Sequence, residues 1–119
     1  MHALTRDLHP DAVYKLMSGS VVPRPVAWVT TLNARGLVNL APFSAFTYVS
    51  VEPPMLGFHC VRKAGMRKDT LNNARAVGDF VVHVADTSLV GPLHESSVEH
   101  PAEVSEAELP ERTSSALRS

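Results

Sequence analysis

The amino-acid sequence predicts a mainly β protein, a barrel with short helical additions. Three observations predict it. Runs rich in strand-forming residues recur at 26–32, 37–41, 43–51, 55–61 and 80–85. Only two brief helical stretches, 12–17 and 69–77, interrupt them. A parallel nucleotide-binding fold would need a longer helix after each strand, and Gly36, Gly57, Gly65, Gly78 and Gly91 stand singly instead of forming a phosphate loop.

Each element has a local cause. Asp11 is positioned to cap the helix over 12–17, Val13, Leu16 and Met17 give it an apolar face, and Gly19 ends it. Residues 26–32 carry Val, Trp and Thr. Asn33-Ala34-Arg35-Gly36 is a turn, with Gly36 free to take positive φ, so 37–41 returns as the second strand of a hairpin. The strand over 43–51 is broken by Pro53-Pro54, neither of which can donate to a ladder. In 55–61, Leu56, Phe58 and Cys60 share one face, which makes Cys60 a small buried apolar residue rather than a nucleophile. Asp69 is the expected N-cap of the helix over 69–77, and Gly78 its C-terminal stop. Residues 80–85 form a strand, and Asp86 or Thr87 caps a further turn. From His94 the apolar pattern fades. The expected organisation is one domain over 1–93 and an acidic, weakly structured tail over 94–119.

Bulk properties narrow the function classes. The chain has 119 residues, 45% apolar and 19% charged, which describes one globular domain. No apolar run reaches the ~20 residues that cross a bilayer. The first ten residues lack an apolar signal core, so the cytoplasm is the default location. Cys60 is the single cysteine, so stability must come from elsewhere, and oligomerisation or a bound cofactor are the usual sources. Net charge is −1, divided as +3 over 1–93 and −4 over 94–119. No basic excess points to nucleic acid. One cluster, Arg62, Lys63, Arg67 and Lys68, suits a small phosphate, or else is a solvated basic turn.

Acid–base, nucleophilic and metal chemistry find little support. The six histidines make no close metal pair, and no G-x-S-x-G elbow occurs. His59 and His83 read as locally bonded strand residues. No catalytic or metal-ligating residue is therefore assigned. Two segments suit a planar, phosphorylated cofactor. In 39–46, small residues let the backbone approach a ring, with Asn39 and Ser44 adding polar groups. In 67–72, a helix N-terminus with Lys68 and Thr70 beside it offers a phosphate site. The plain alternatives are an ordinary strand and an ordinary capped helix.

Four segments carry a resemblance. Arg24-Pro25-Val26-Ala27-Trp28-Val29-Thr30-Thr31 looks like the first barrel strand of flavin reductase-like proteins. Asn39 to Ser44, Ser50-Val51-Glu52-Pro53-Pro54-Met55 and Lys68-Asp69-Thr70-Leu71-Asn72-Asn73 resemble three further segments of that family, in the same order. Asp79-Phe80-Val81-Val82 follows them. The resemblance covers about the first 93 residues and implies an FMN-binding split β-barrel with Greek-key connections, shortened at the C-terminus. It implies a homodimer that reduces FMN with NADH or NADPH and feeds an oxygenase or other electron acceptor. The alternatives it leaves are a non-catalytic FMN electron-transfer module and an inactive fragment. By position, Ser44, Ala45 and Phe46 would lie near the isoalloxazine, Ser50 near the ribityl chain or phosphate, and Lys68 and Thr70 at the phosphate. Asn39 and Arg62 complete the implied cofactor set. His83 stands where the family often has asparagine.

Overall fold

The computed structural model describes residues 4–62 and 65–98. Lys63 and residues 99–119, the greater part of the expected acidic tail, lie outside the described residues.

After a 3-10 turn at Thr5–Asp7 the chain forms α1 (Pro10–Ser20), longer at both ends than the pattern predicts. His9, not Asp11, is the N-cap; its ring Nδ1 accepts the Asp11 amide. Pro10 at the first helical position, with its φ preset for the helix, is the local reason. The far end passes through Gly19 because Arg24 folds back and donates to the Ser18 and Val21 carbonyls, which otherwise lack helical partners.

The sheet begins with β1 (Ala27–Leu32) and β2 (Val38–Phe43), an antiparallel hairpin in which Ala27 faces Phe43 and Thr31 faces Asn39. Its turn is built as expected. Asn33 Oδ1 accepts the amides of Arg35 and Leu37, and Gly36 has φ +77°. A second hairpin, β3 (Phe46–Ser50) and β4 (Met55–Phe58), pairs Phe46 with Phe58 and carries an irregularity between Tyr48 and Ser50. Gly57 lies so close to Val49 that a Cβ there would sit 2.8 Å from the valine Cγ2. α2 (Asp69–Val77) has the predicted bounds and ends at Gly78 with φ +89°. β5 (Val81–His83) then pairs with β1, giving the order β2-β1-β5. A 3-10 turn capped by Asp86 (Thr87–Leu89) leads into α3 (Val90–Glu95).

β1 is central, and it is covered on both faces. On one face Ala27, Val29 and Phe43 form the core, joined by Ala41, Phe46, Phe58, Cys60 and Val82. Phe58 links the two sheets there, its ring 5.0 Å from Phe43 and 5.4 Å from Phe80. On the other face Trp28 and Leu40 are fully buried. Trp28 Nε1 donates to Ser96 Oγ at 2.8 Å, and Ser96 Oγ donates onward to the Leu93 carbonyl. The boundary expected after Leu93 thus falls inside α3, and Ser96 beyond it is only 7% exposed. A single polar residue with a buried indole partner roots residues 94–96 in the fold, although their composition is that of a tail.

Candidate functional site

The β2–β3 connection and the start of α2 carry most of the predicted site residues. Ser44 and Ala45 form the connection and are exposed; Phe46 is half-buried. The Ala45 carbonyl accepts the His59 amide at 3.0 Å, which ties this connection to the exit from β4. Phe43, just before it, turns its ring into the core. Lys68 lies above that ring, with Nζ 5.3 Å from the centroid. Cys60 borders the same place. Burial pushes its thiol up, and the Lys68 charge opposes that rise, so Cys60 is a protonated, apolar neighbour of the lysine at neutral pH.

Lys68 is itself the N-cap of α2, and it makes no side-chain cap bond. Asp69, the expected cap, is instead the first helical residue. Its carboxylate contributes charge to the first turn, where it balances part of Lys68 and the exposed Arg67.

Thr70 points the other way. It is 1% exposed, and its Oγ1 accepts a hydrogen bond from Asn39 Nδ2 at 2.9 Å. What Thr70 can offer outward is its backbone amide. Ser50 lies at the far end of β3, four residues from Phe46 or roughly 13 Å along a strand. Arg62 is exposed, two residues past Cys60. The structure therefore gathers Lys68, Phe43 and Cys60, sets Asn39 and Thr70 beneath the helix, and leaves Ser50 at a distance along its strand.

Sequence reasoning missed Phe43 as the platform for Lys68, and Cys60 as its neighbour. Thr31 and Asn73 were missed as well: Asn73 Nδ2 donates to the buried Thr31 Oγ1 at 3.3 Å. Two signals could have found them. Thr31 falls opposite Asn39 once the Asn33–Gly36 turn sets the hairpin register, and Asn73 shares a helix face with Thr70 three residues earlier.

His83 sits on the opposite face of the sheet. Its Nε2 is 2.8 Å from Thr30 Oγ1 and its ring meets Trp28 edge-on. Burial lowers its pKa, which keeps it neutral at pH 7. Among the described residues, no group of three or more His, Cys, Asp or Glu could hold a metal, and no helix is long and apolar enough to cross a membrane.

A sheet-on-hairpin β architecture with a short helix presenting a cation at its open N-terminus defines the class: a split-barrel protein of the flavin reductase type. The chain belongs to the flavin reductase like domain family, which it matches over residues 17–116. It is 49% identical over 84 residues to YwrF of Bacillus subtilis (strain 168), covering 71% of this chain and 41% of that protein. The crystal structure of nitrilotriacetate monooxygenase component B from Bacillus cereus is 41% identical, with a TM-score of 0.86 over 92% of this chain and 54% of that one. The 2-nitrobenzoate 2-nitroreductase NbaA of Pseudomonas fluorescens is 37% identical, with a TM-score of 0.77 over 91% of this chain and 51% of that one. The chain spans about half the length of the relatives it matches.

Proposed function

We propose that this chain binds FMN and serves its reduction by NADH or NADPH. The observation that carries the reading is Lys68: a half-buried cation held over Phe43 at a helix N-terminus that has no side-chain cap, in a chain of the flavin reductase-like family. The residues fit a planar group with a phosphate. A half-buried cation attracts an anion through a lower effective dielectric than a free surface lysine does. The first-turn amides add donors aimed the same way. In this reading Lys68 and the amides of Asp69 and Thr70 hold the phosphate, with Arg62 contributing charge from the surface. Ser44, Ala45 and Phe46 border the ring system, and Ser50 meets the chain between the ring and the phosphate.

Bound flavin supplies the hydride-accepting ring, so the protein needs no acid or base of its own. Its residues hold the phosphate, fix the plane of the ring and exclude water from one side. Both nitrilotriacetate monooxygenase component B and the nitroreductase are redox proteins by name, and an oxygenase that consumes reduced flavin is the kind of partner this reading implies. A cytoplasmic setting supplies the nicotinamide donor.

Titration with FMN and riboflavin tests the phosphate assignment. Lys68→Ala removes one charge-assisted hydrogen bond, typically ~1.5–3 kcal/mol. FMN affinity then drops by roughly ten-fold or more, and riboflavin affinity hardly changes. Equal affinities for the two flavins, indifferent to the substitution, overturn the assignment. Steady-state NAD(P)H oxidation with added FMN tests the reductase activity.

The proposal includes a homodimer. The β3–β4 hairpin exposes Tyr48, Val49, Val51, Met55 and Leu56, an apolar set suited to burial against a twin subunit. Sedimentation at micromolar concentration should show a dimer. A monomer that still binds FMN tightly would remove self-association from the reading.

A further inference from the structure

We infer that Thr31, Asn39, Thr70 and Asn73 act as a four-residue clamp that positions the N-terminus of α2, and with it Lys68. The inference rests on the phosphate reading of that helix end and concerns side chains that face away from the ligand.

The geometry is reciprocal. Thr31 and Asn39 face each other across β1 and β2. Thr70 and Asn73 are three apart in α2 and share a helix face. The strand asparagine, Asn39, donates to the helix threonine at 2.9 Å. The helix asparagine, Asn73, donates to the strand threonine at 3.3 Å. A single bond would let the helix swivel about it. Two bonds nearly one turn apart set both its distance from the sheet and its rotation.

Burial makes the clamp selective. Thr31 is 2% exposed and Thr70 is 1% exposed, so water cannot readily replace either partner. A buried hydroxyl or amide that loses its partner is costly, whereas an apolar contact tolerates sliding. Hydrogen-bond distances fall within a few tenths of an ångström, and that tolerance passes to the helix. No cap side chain fastens the start of α2, and these two bonds tie it to the sheet on which it packs. Lys68 stands two residues before Thr70. The placement of its Nζ over Phe43, and the direction of the first-turn amides, follow from where the clamp sets Thr70. These four are positioning residues for the anion end of the site.

Thr31→Val keeps the shape of the side chain and removes the acceptor; Asn73→Ala removes the donor. Thr31→Ser restores the hydroxyl. Dissociation constants for FMN and riboflavin are measured on each, with thermal melting alongside. In Thr31→Val and Asn73→Ala the preference for FMN over riboflavin should fall by roughly three- to ten-fold, while riboflavin affinity stays close to wild type. Thr31→Ser should keep the wild-type preference. A lower melting temperature with an unchanged preference makes the role structural only, and overturns the inference alone. Equal affinities in the wild-type chain overturn the phosphate reading, and the inference with it.

Discussion

Trp28→Ala should remove a large share of the stability of the fold. Trp28 is 1% exposed on the central strand, and the substitution leaves a cavity where the indole packs between the sheet and the segment that follows α3. Truncating a buried Trp costs about 3–5 kcal/mol. A domain of this size has only about 5–15 kcal/mol in total. The loss has a second component, because Ser96 Oγ gives up its indole partner in a buried place. Trp28→Phe separates the two. It keeps most of the ring and removes the Nε1 donor, so it should cost far less than Trp28→Ala. Ser96→Ala, which strands the indole N–H, should cost about 1–3 kcal/mol. A chain cut after Leu93 should lose at least as much as Ser96→Ala. Denaturant unfolding followed by far-UV circular dichroism measures all four. If Trp28→Ala melts within 1 kcal/mol of wild type, β1 is not the centre of the core.

FMN should raise the melting temperature strongly. A ligand that binds only the folded form at a hundred times its dissociation constant adds about 2.7 kcal/mol. For a domain of this length that is a rise on the order of 10 °C. Riboflavin at the same concentration should raise it much less, because it lacks the group that Lys68 and the α2 amides hold. Lys68→Ala should bring the FMN effect down towards the riboflavin effect. Lys68 is half-buried above Phe43, so its own removal changes packing slightly, and each variant is compared with itself without ligand. Equal shifts with FMN and riboflavin would show that the phosphate contributes nothing.

Two features near the site carry opposite lessons. Cys60 reads from its strand alternation as a small apolar residue. The structure agrees in part: Cys60 lies two residues past the end of β4 and is half-buried against the core, where burial raises its pKa. Asp69 reads as a helix cap, because Asp before an apolar run commonly is one. In the fold Asp69 is the first helical residue, and Lys68 takes the cap position. A local pattern places a helix start within a residue or two, and that uncertainty decides which side chain stands at the open end.

The sequence by itself determined the β character, the Asn33–Gly36 turn, the extent of α2 and the family. Each is written in neighbouring residues. Side-chain period separates strand from helix, and turn and stop residues such as Gly36 and Gly78 are chosen for the positive φ they must adopt. The family segments are contiguous, so their order along the chain is visible without any fold. Only the tertiary structure decided that Thr70 turns inward to Asn39, that Lys68 rests over Phe43, and that Ser96 reaches Trp28 across 68 residues. These contacts join residues far apart in sequence. Nothing local distinguishes a threonine that faces a ligand from one buried against an asparagine. The difference arises when the hairpin register and the seating of α2 bring the two elements together, and close packing then admits one pairing of their polar groups.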